Sequence, residues 1–134
     1  MRMVEDLSDA HYEALASIRH ELRRFLHFSE QEASSSGITP QQHQALLAIR
    51  ASVGPMLVGA LADHLLLKPH SASELVNRLV KLDLVRRLAG TTDKRQVPVE
   101  LTEEGGALLA SLSRAHRDEL RRIRPLLNQL IGAL

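Results

Sequence analysis

The run LADHLLLKPHSASELVNRLVKLDLVRRLAGTTDKRQVPVELT, residues 61–102, holds two short helical patterns, a break between them, and two strand-like segments joined by a charged tip. Leu61 and Leu65, then Leu75, Val76 and Leu79, recur at spacings of three and four, so each helix turns one apolar stripe to a shared core. The break falls near Lys68-Pro69. Proline suits the first turn of a helix, where its missing N–H has no partner, and it disfavours a helical residue before it. The second helix therefore starts near Pro69. Its outward positions are His70, Ser71, Ser73, Glu74, Asn77 and Lys81, with Arg78 at the edge and Lys68 just before the first turn. Side chains of this kind hydrogen-bond base edges and phosphates from within a major groove about 12 Å wide.

Working outward, Leu84–Leu88 and Gln96–Leu101 read as strands, the second with Val97, Val99 and Leu101 alternating against polar or proline positions. Pro98 on its outward face predicts an edge strand. The intervening tip is turn-rich. A hairpin bearing Arg86, Lys94 and Arg95 can lay cations into the minor groove beside the helix, where negative potential attracts arginine. Asp93 suits a different task, holding Arg95 in one geometry through a charge-assisted bond. Helix, turn, helix and hairpin together predict a mainly α chain with a small β-hairpin wing: a winged helix-turn-helix.

On LADHL, PHSASELVNRL, LVRR, the D-x-R of Asp93-Lys94-Arg95 and LTEEG at Leu101–Gly105, the chain resembles the MarR family of bacterial transcriptional regulators, and ITPQQHQALLAIR upstream is similar to the helix preceding that family's reading motif. The resemblance covers about residues 38–106. It implies a homodimeric, sequence-specific reader of double-stranded DNA, a repressor whose affinity a small aromatic or anionic effector tunes. Three departures stand out. Leu66 and Asp83 occupy positions where relatives carry glycine; leucine tolerates a left-handed backbone poorly, so the turn at Leu66 is expected to differ locally. Lys68 replaces the usual serine or threonine cap, while Ser71 and Glu74 are spaced as a capping box, which predicts a helix that begins properly only at Ala72 and draws Glu74 away from DNA.

The two ends supply the rest of a single domain. Leu7, Leu15, Ile18, Leu22, Phe25 and Leu26 keep helical spacing within about 7–35, with Ser8 as cap; Thr39-Pro40-Gln41-Gln42 restarts the chain with a capping box and proline at the first helical position. Thr102 caps a last helix over about 103–134, whose stripe runs Leu109, Leu112, His116, Leu120, Ile123, Leu127, Leu130 and Leu134, and which Pro125 is expected to interrupt. Two apolar seams with no third layer to cover them predict helices that dimerise, flanking a winged lobe over about 38–102. His116 is expected on that seam. Twofold symmetry then sets two reading helices about 34 Å apart, on a pseudo-palindromic site. For an effector, the basic groups His20, Arg23 and His27 on the first helix and His43 on the next are the candidates.

Composition narrows the alternatives. The 134 residues are 44% hydrophobic and 25% charged, enough for one core. One Tyr, two Phe and no Trp argue against stacking on unpaired bases, and so for duplex DNA. The net charge of +1 conceals a segregation: residues 1–35 carry four arginines against seven carboxylates, and residues 84–97 carry four cations against Asp93 alone. The absence of cysteine excludes disulfides and thiolate metal sites, and no His pair has the spacing of a helical zinc site, so no metal and no cofactor is expected. No catalytic or nucleotide-binding motif is present, which speaks against an enzyme. An acidic start and the lack of a long apolar run predict a cytoplasmic protein without a membrane partner. The competing reading is a dimerising protein-interaction adaptor on the same scaffold, supported by Glu74, Lys68, Leu66 and the low net charge.

Overall fold

The structure is a computed structural model that describes residues 6–89 and 97–134. Its elements run α1 (Asp9–Ser35), α2 (Pro40–Ala51), β1 (Met56–Leu57), α3 (Val58–Leu65), α4 (Pro69–Lys81), β2 (Val85–Arg87), β3 (Pro98–Leu101) and α5 (Glu103–Gly132). The mainly α winged helix-turn-helix expected from sequence is what forms. Helix starts follow their caps. Ser8 and His11 cap α1 reciprocally, and at α2 Thr39 Oγ1 accepts from Gln42 N (3.1 Å) while Gln42 Oε1 accepts from Thr39 N (2.9 Å).

Three helices end in one way. After α1, α3 and α4 comes a residue in the left-handed region, Gly37 (φ 81°), Leu66 (φ 57°) and Asp83 (φ 60°), and the amide after it reaches back to close the last turn. Those closing bonds are Ile38 N to Ala33 O (3.1 Å), Leu67 N to Ala62 O (2.9 Å) and Leu84 N to Leu79 O (3.0 Å). Each closing residue is apolar and packs on the core. The turn at Leu66 thus keeps the backbone that glycine would take, contrary to expectation: burial of Leu67 holds the leucine in an unfavourable conformation.

The core lies between α2, α3, α4, the sheet and the first half of α5, with Leu46, Leu61, Val76, Leu79, Val85, Val99 and Leu112 among its fully buried side chains. The sheet has three strands in the order β1-β3-β2, all antiparallel neighbours, with Met56 opposite Val99 and Val85 opposite Leu101. This corrects the reading of Pro98 as an edge residue. β3 is central, and β1, only two residues long, carries too little pattern to announce itself. Pro98 survives there because it opens the strand, opposite Leu57, and its carbonyl still accepts from Leu88 N at 2.9 Å.

Two further expectations fail. α4 begins at Pro69 with Lys68 as a cap that makes no side-chain bond, so Ser71 and Glu74 do not form the start of the helix. α5 runs unbroken through Pro125. Both Pro125 and Arg121, whose carbonyl loses its helical donor, are exposed, so water can take the vacant acceptor. α1 and α5 lie against each other with a charged margin: Glu21 is buried 3.8 Å from Arg24, and Arg122 donates to Glu119 at 2.6 Å, a bond that holds the Glu119 carboxyl below its ordinary range.

The joint between α4 and α5 is built from LTEEG. Thr102 caps α5 by accepting from Gly105 N (3.0 Å), and its hydroxyl donates to Asp83 O (2.5 Å), while Thr102 N donates to Leu84 O (3.1 Å). A Cβ at Gly105 would stand 2.0 Å from Leu84 O, so only glycine permits this approach.

Candidate nucleic-acid interface

Ala72, Leu75, Val76 and Leu79 turn into the core, and that choice fixes what α4 presents outward. His70, Ser71, Glu74, Asn77, Arg78 and Lys81 are exposed, Lys68 is exposed at the cap, and Ser73 is half-buried. Glu74 takes an i,i+4 partner on its own helix, with His70 Nε2 3.1 Å from Glu74 Oε1. The carboxylate stays on the outer face, spaced by an imidazole rather than withdrawn to a cap.

The sheet adds its own side chains by strand alternation. Val85 points into the core, so Arg87 shares that side and reaches α4, where its guanidinium donates to Asn77 Oδ1. Arg86 points the other way. It donates to Glu100, its register partner on β3, at 2.7 Å. Between α4 and the sheet lies a depression of about 520 Å³ lined by Val58, His70, Ser73, Glu74, Asn77, Arg87 and Val97. Of the wing residues singled out from sequence, Arg86 is therefore on the face away from this depression, and Asp93, Lys94 and Arg95 lie outside the described residues. Arg87 is the residue that sequence reasoning passed over. The signal was there, since an apolar Val85 two positions earlier sets the side on which Arg87 must emerge.

The MarR family profile matches residues 36–96, from the loop before α2 to the position before Val97. Over those residues the chain is similar to the MarR family. Its similarity to the HTH-type transcriptional repressor MdtR of Bacillus subtilis is 30% identity over 69 residues, 52% of this chain, and spans 44% of the length of that relative. Among solved structures the chain superposes on RV1404 of Mycobacterium tuberculosis with a TM-score of 0.72 at 24% identity, covering 99% of this chain and 93% of the other. It superposes on a MepR point mutant of Staphylococcus aureus bound to an oligodeoxyribonucleotide with a TM-score of 0.70 at 17% identity, covering 96% and 99%. At these identities the likeness is one of fold.

The basic groups considered for an effector do not converge. His20, Arg23 and His27 line a shallow depression on α1 with Arg24, Phe28, Gln31 and Glu119. His43 belongs elsewhere. It is 6% exposed on α2, at the edge of a groove of about 960 Å³ between α1, α2 and α5 whose lining includes Phe25, Leu47, Leu120 and Leu127 with Arg117, Arg121 and Arg124. There the His43 ring packs against His116, tilted at 46° with ring centroids 4.7 Å apart. His116, expected on a seam between copies, is held within its own chain: Nδ1 meets Leu112 O at 2.7 Å, Nε2 meets Ser29 Oγ at 2.8 Å, and Phe25 and Phe28 approach its ring edge-on. Burial, and then the neighbouring His116, push the His43 pKa below its ordinary value. Among the described residues there is no group of three or more His, Cys, Asp or Glu placed to hold a metal, and no helix is long and apolar enough to cross a membrane.

Proposed function

We propose that this chain is a cytoplasmic, homodimeric transcriptional repressor of the MarR family that reads a pseudo-palindromic duplex with α4 and the wing. The observation that carries the reading is the outer face of α4, where His70, Ser71, Glu74, Asn77 and Arg78 stand clear of the core, with Ser73 half-buried among them, beside a basic strand. Lys68 and Arg78 at the ends of that face suit phosphates, and the residues between them suit base edges. Lys94 and Arg95, oriented by Asp93, supply the minor-groove contact by sequence. A relative named as a repressor and a same-fold chain bound to an oligodeoxyribonucleotide support the assignment.

Dimerisation is supported by what one chain leaves uncovered. α1 buries only Ala14, Glu21 and Ala33 over 27 residues, while Leu15, Leu22 and Leu26 on it, and Leu120, Leu126 and Ile131 on α5, are exposed. A lining that combines Phe25, Leu47, Leu120 and Leu127 with three arginines makes the α1–α2–α5 groove, including His43, the better place for a small aromatic or anionic effector. The His20, Arg23 and His27 depression is smaller, about 490 Å³, and carries fewer apolar groups.

Selection of duplex DNA from a random pool, with the enriched sites retested across a salt series, examines the reading directly. The expected result is a two-part site with half-site centres about ten base pairs apart and log affinity falling linearly with log salt. A folded dimer that enriches no duplex at low salt, and captures a protein on the α4 face without DNA, would favour the adaptor instead.

A further inference from the structure

Asn77 lies on the outer face of α4 with its side-chain oxygen already engaged. Arg87 crosses from β2 to donate to Asn77 Oδ1. A guanidinium carries N–H donors and no acceptor, so it can meet only the carbonyl end of an amide. The orientation of the Asn77 amide thus follows from the chemistry of its partner, and the strand that delivers Arg87 is itself fixed, with Val85 2% exposed and Arg87 in register with Val99. What Asn77 turns outward is an NH2 group.

This has a specific outcome in a major groove. A free asparagine grips adenine at two points, accepting from N6 and donating to N7. With its oxygen committed to the wing strand, the amide arrives as a donor. Guanine alone presents two adjacent acceptors, N7 and O6, on its major-groove edge; adenine places a donor beside its acceptor, and thymine a methyl group. Resting on the reading of α4 as the DNA-contacting helix, we propose that Asn77 contacts guanine as a hydrogen-bond donor and that Arg87 is a positioning residue which excludes the adenine mode. Base choice at one position of each half-site is then set by a side chain on a different element from the one that touches the base.

Random-pool selection on the wild-type protein and on Asn77→Ala, Arg87→Met and Arg87→Lys tests this, followed by titration with a duplex carrying 7-deazaguanine, which lacks the N7 acceptor. The position flattened by Asn77→Ala is expected to be a G·C pair in the wild type, preferred about tenfold. 7-Deazaguanine there should weaken the wild type about fivefold or more and leave Asn77→Ala unaffected. Arg87→Met should admit A·T at that position, whereas Arg87→Lys, still a donor without an acceptor, should keep G·C. An A·T pair in the wild type, indifference to 7-deazaguanine, no position flattened by Asn77→Ala, or an unchanged preference in Arg87→Met each overturns the assignment. Absence of any enriched duplex for the wild type would instead overturn the DNA-reading function on which it rests, so the two failures are distinguishable.

Discussion

Leu66 and Gly105 have exchanged the roles that side chains usually take. Leu66 sits where the backbone favours glycine, 92% exposed, so its side chain returns almost nothing for a left-handed conformation that costs about 1–2 kcal/mol. Leu66→Gly should raise stability by roughly 0.5–1 kcal/mol after the added freedom of the unfolded chain is set against the relieved strain, visible as a higher urea midpoint. A lower midpoint would show that Leu66 makes a contact worth more than its strain, as contact with a second protomer would be. Gly105 is the opposite case, a helical glycine in a place where alanine has better helix propensity. Its Cβ would overlap Leu84 O at 2.0 Å, so Gly105→Ala should lower stability by about 1–3 kcal/mol. Gly106→Ala, with nothing within 4 Å, should not, and equal effects of the two would argue against the close approach.

At the scale of elements, the packing of α2 against α5 through His43 and His116 makes stability depend on pH. The folded-state pKa of His43 lies below the ordinary 6.5, first because of burial and second because of His116. The unfolded chain therefore binds the proton more readily. The stability linked to neutral His43 is complete above pH 6.5 and is lost as pH falls below it toward the folded-state value. The urea midpoint of the wild type should drop between about pH 7.5 and about pH 5.5, and His43→Gln should flatten that drop. Parallel slopes in the two proteins would place the proton uptake elsewhere. Elements also show how far sequence reasoning reaches. The start of α2 was legible because Thr39, Pro40 and Gln42 each satisfy a separate requirement of a helix start. β1 was not, since Met56 and Leu57 are too few for a period, and without β1 the central strand β3 looked like an edge and Pro98 was misjudged. The helix ends divide in the same manner: Gly37 declares its left-handed turn, whereas Leu66 conceals one that only the burial of Leu67 enforces. At the interface, the exposed face of α4 followed from its apolar period, but the crossing from Arg87 to Asn77 joins two elements and no local pattern contains it.

For the molecule as a whole, the uncovered leucines of α1 and α5 are the quantity to test. Leu22 is 49% exposed and Ile131 58% exposed, and each would gain about 1 kcal/mol on burying what remains, half of the value for a fully exposed side chain. The paired changes Leu22→Glu and Ile131→Glu should convert a dimer to a monomer in light scattering without loss of helical circular dichroism, because neither side chain supports the core of its own chain. A mass unchanged by substitution would mean that these positions face solvent in the assembly. α5 also behaves as a beam with a pivot. Its 30 residues span about 45 Å at 1.5 Å per residue, and Thr102 pins the near end to the turn that closes α4, so a rotation of about 5° at the pin sweeps the far end through about 4 Å. Run in reverse, the same leverage gears motion down: a side-chain-sized displacement at the tip of α5 would reach α4 as a tilt of a few degrees, delivered through the two bonds that Thr102 donates and one glycine too small to cushion it.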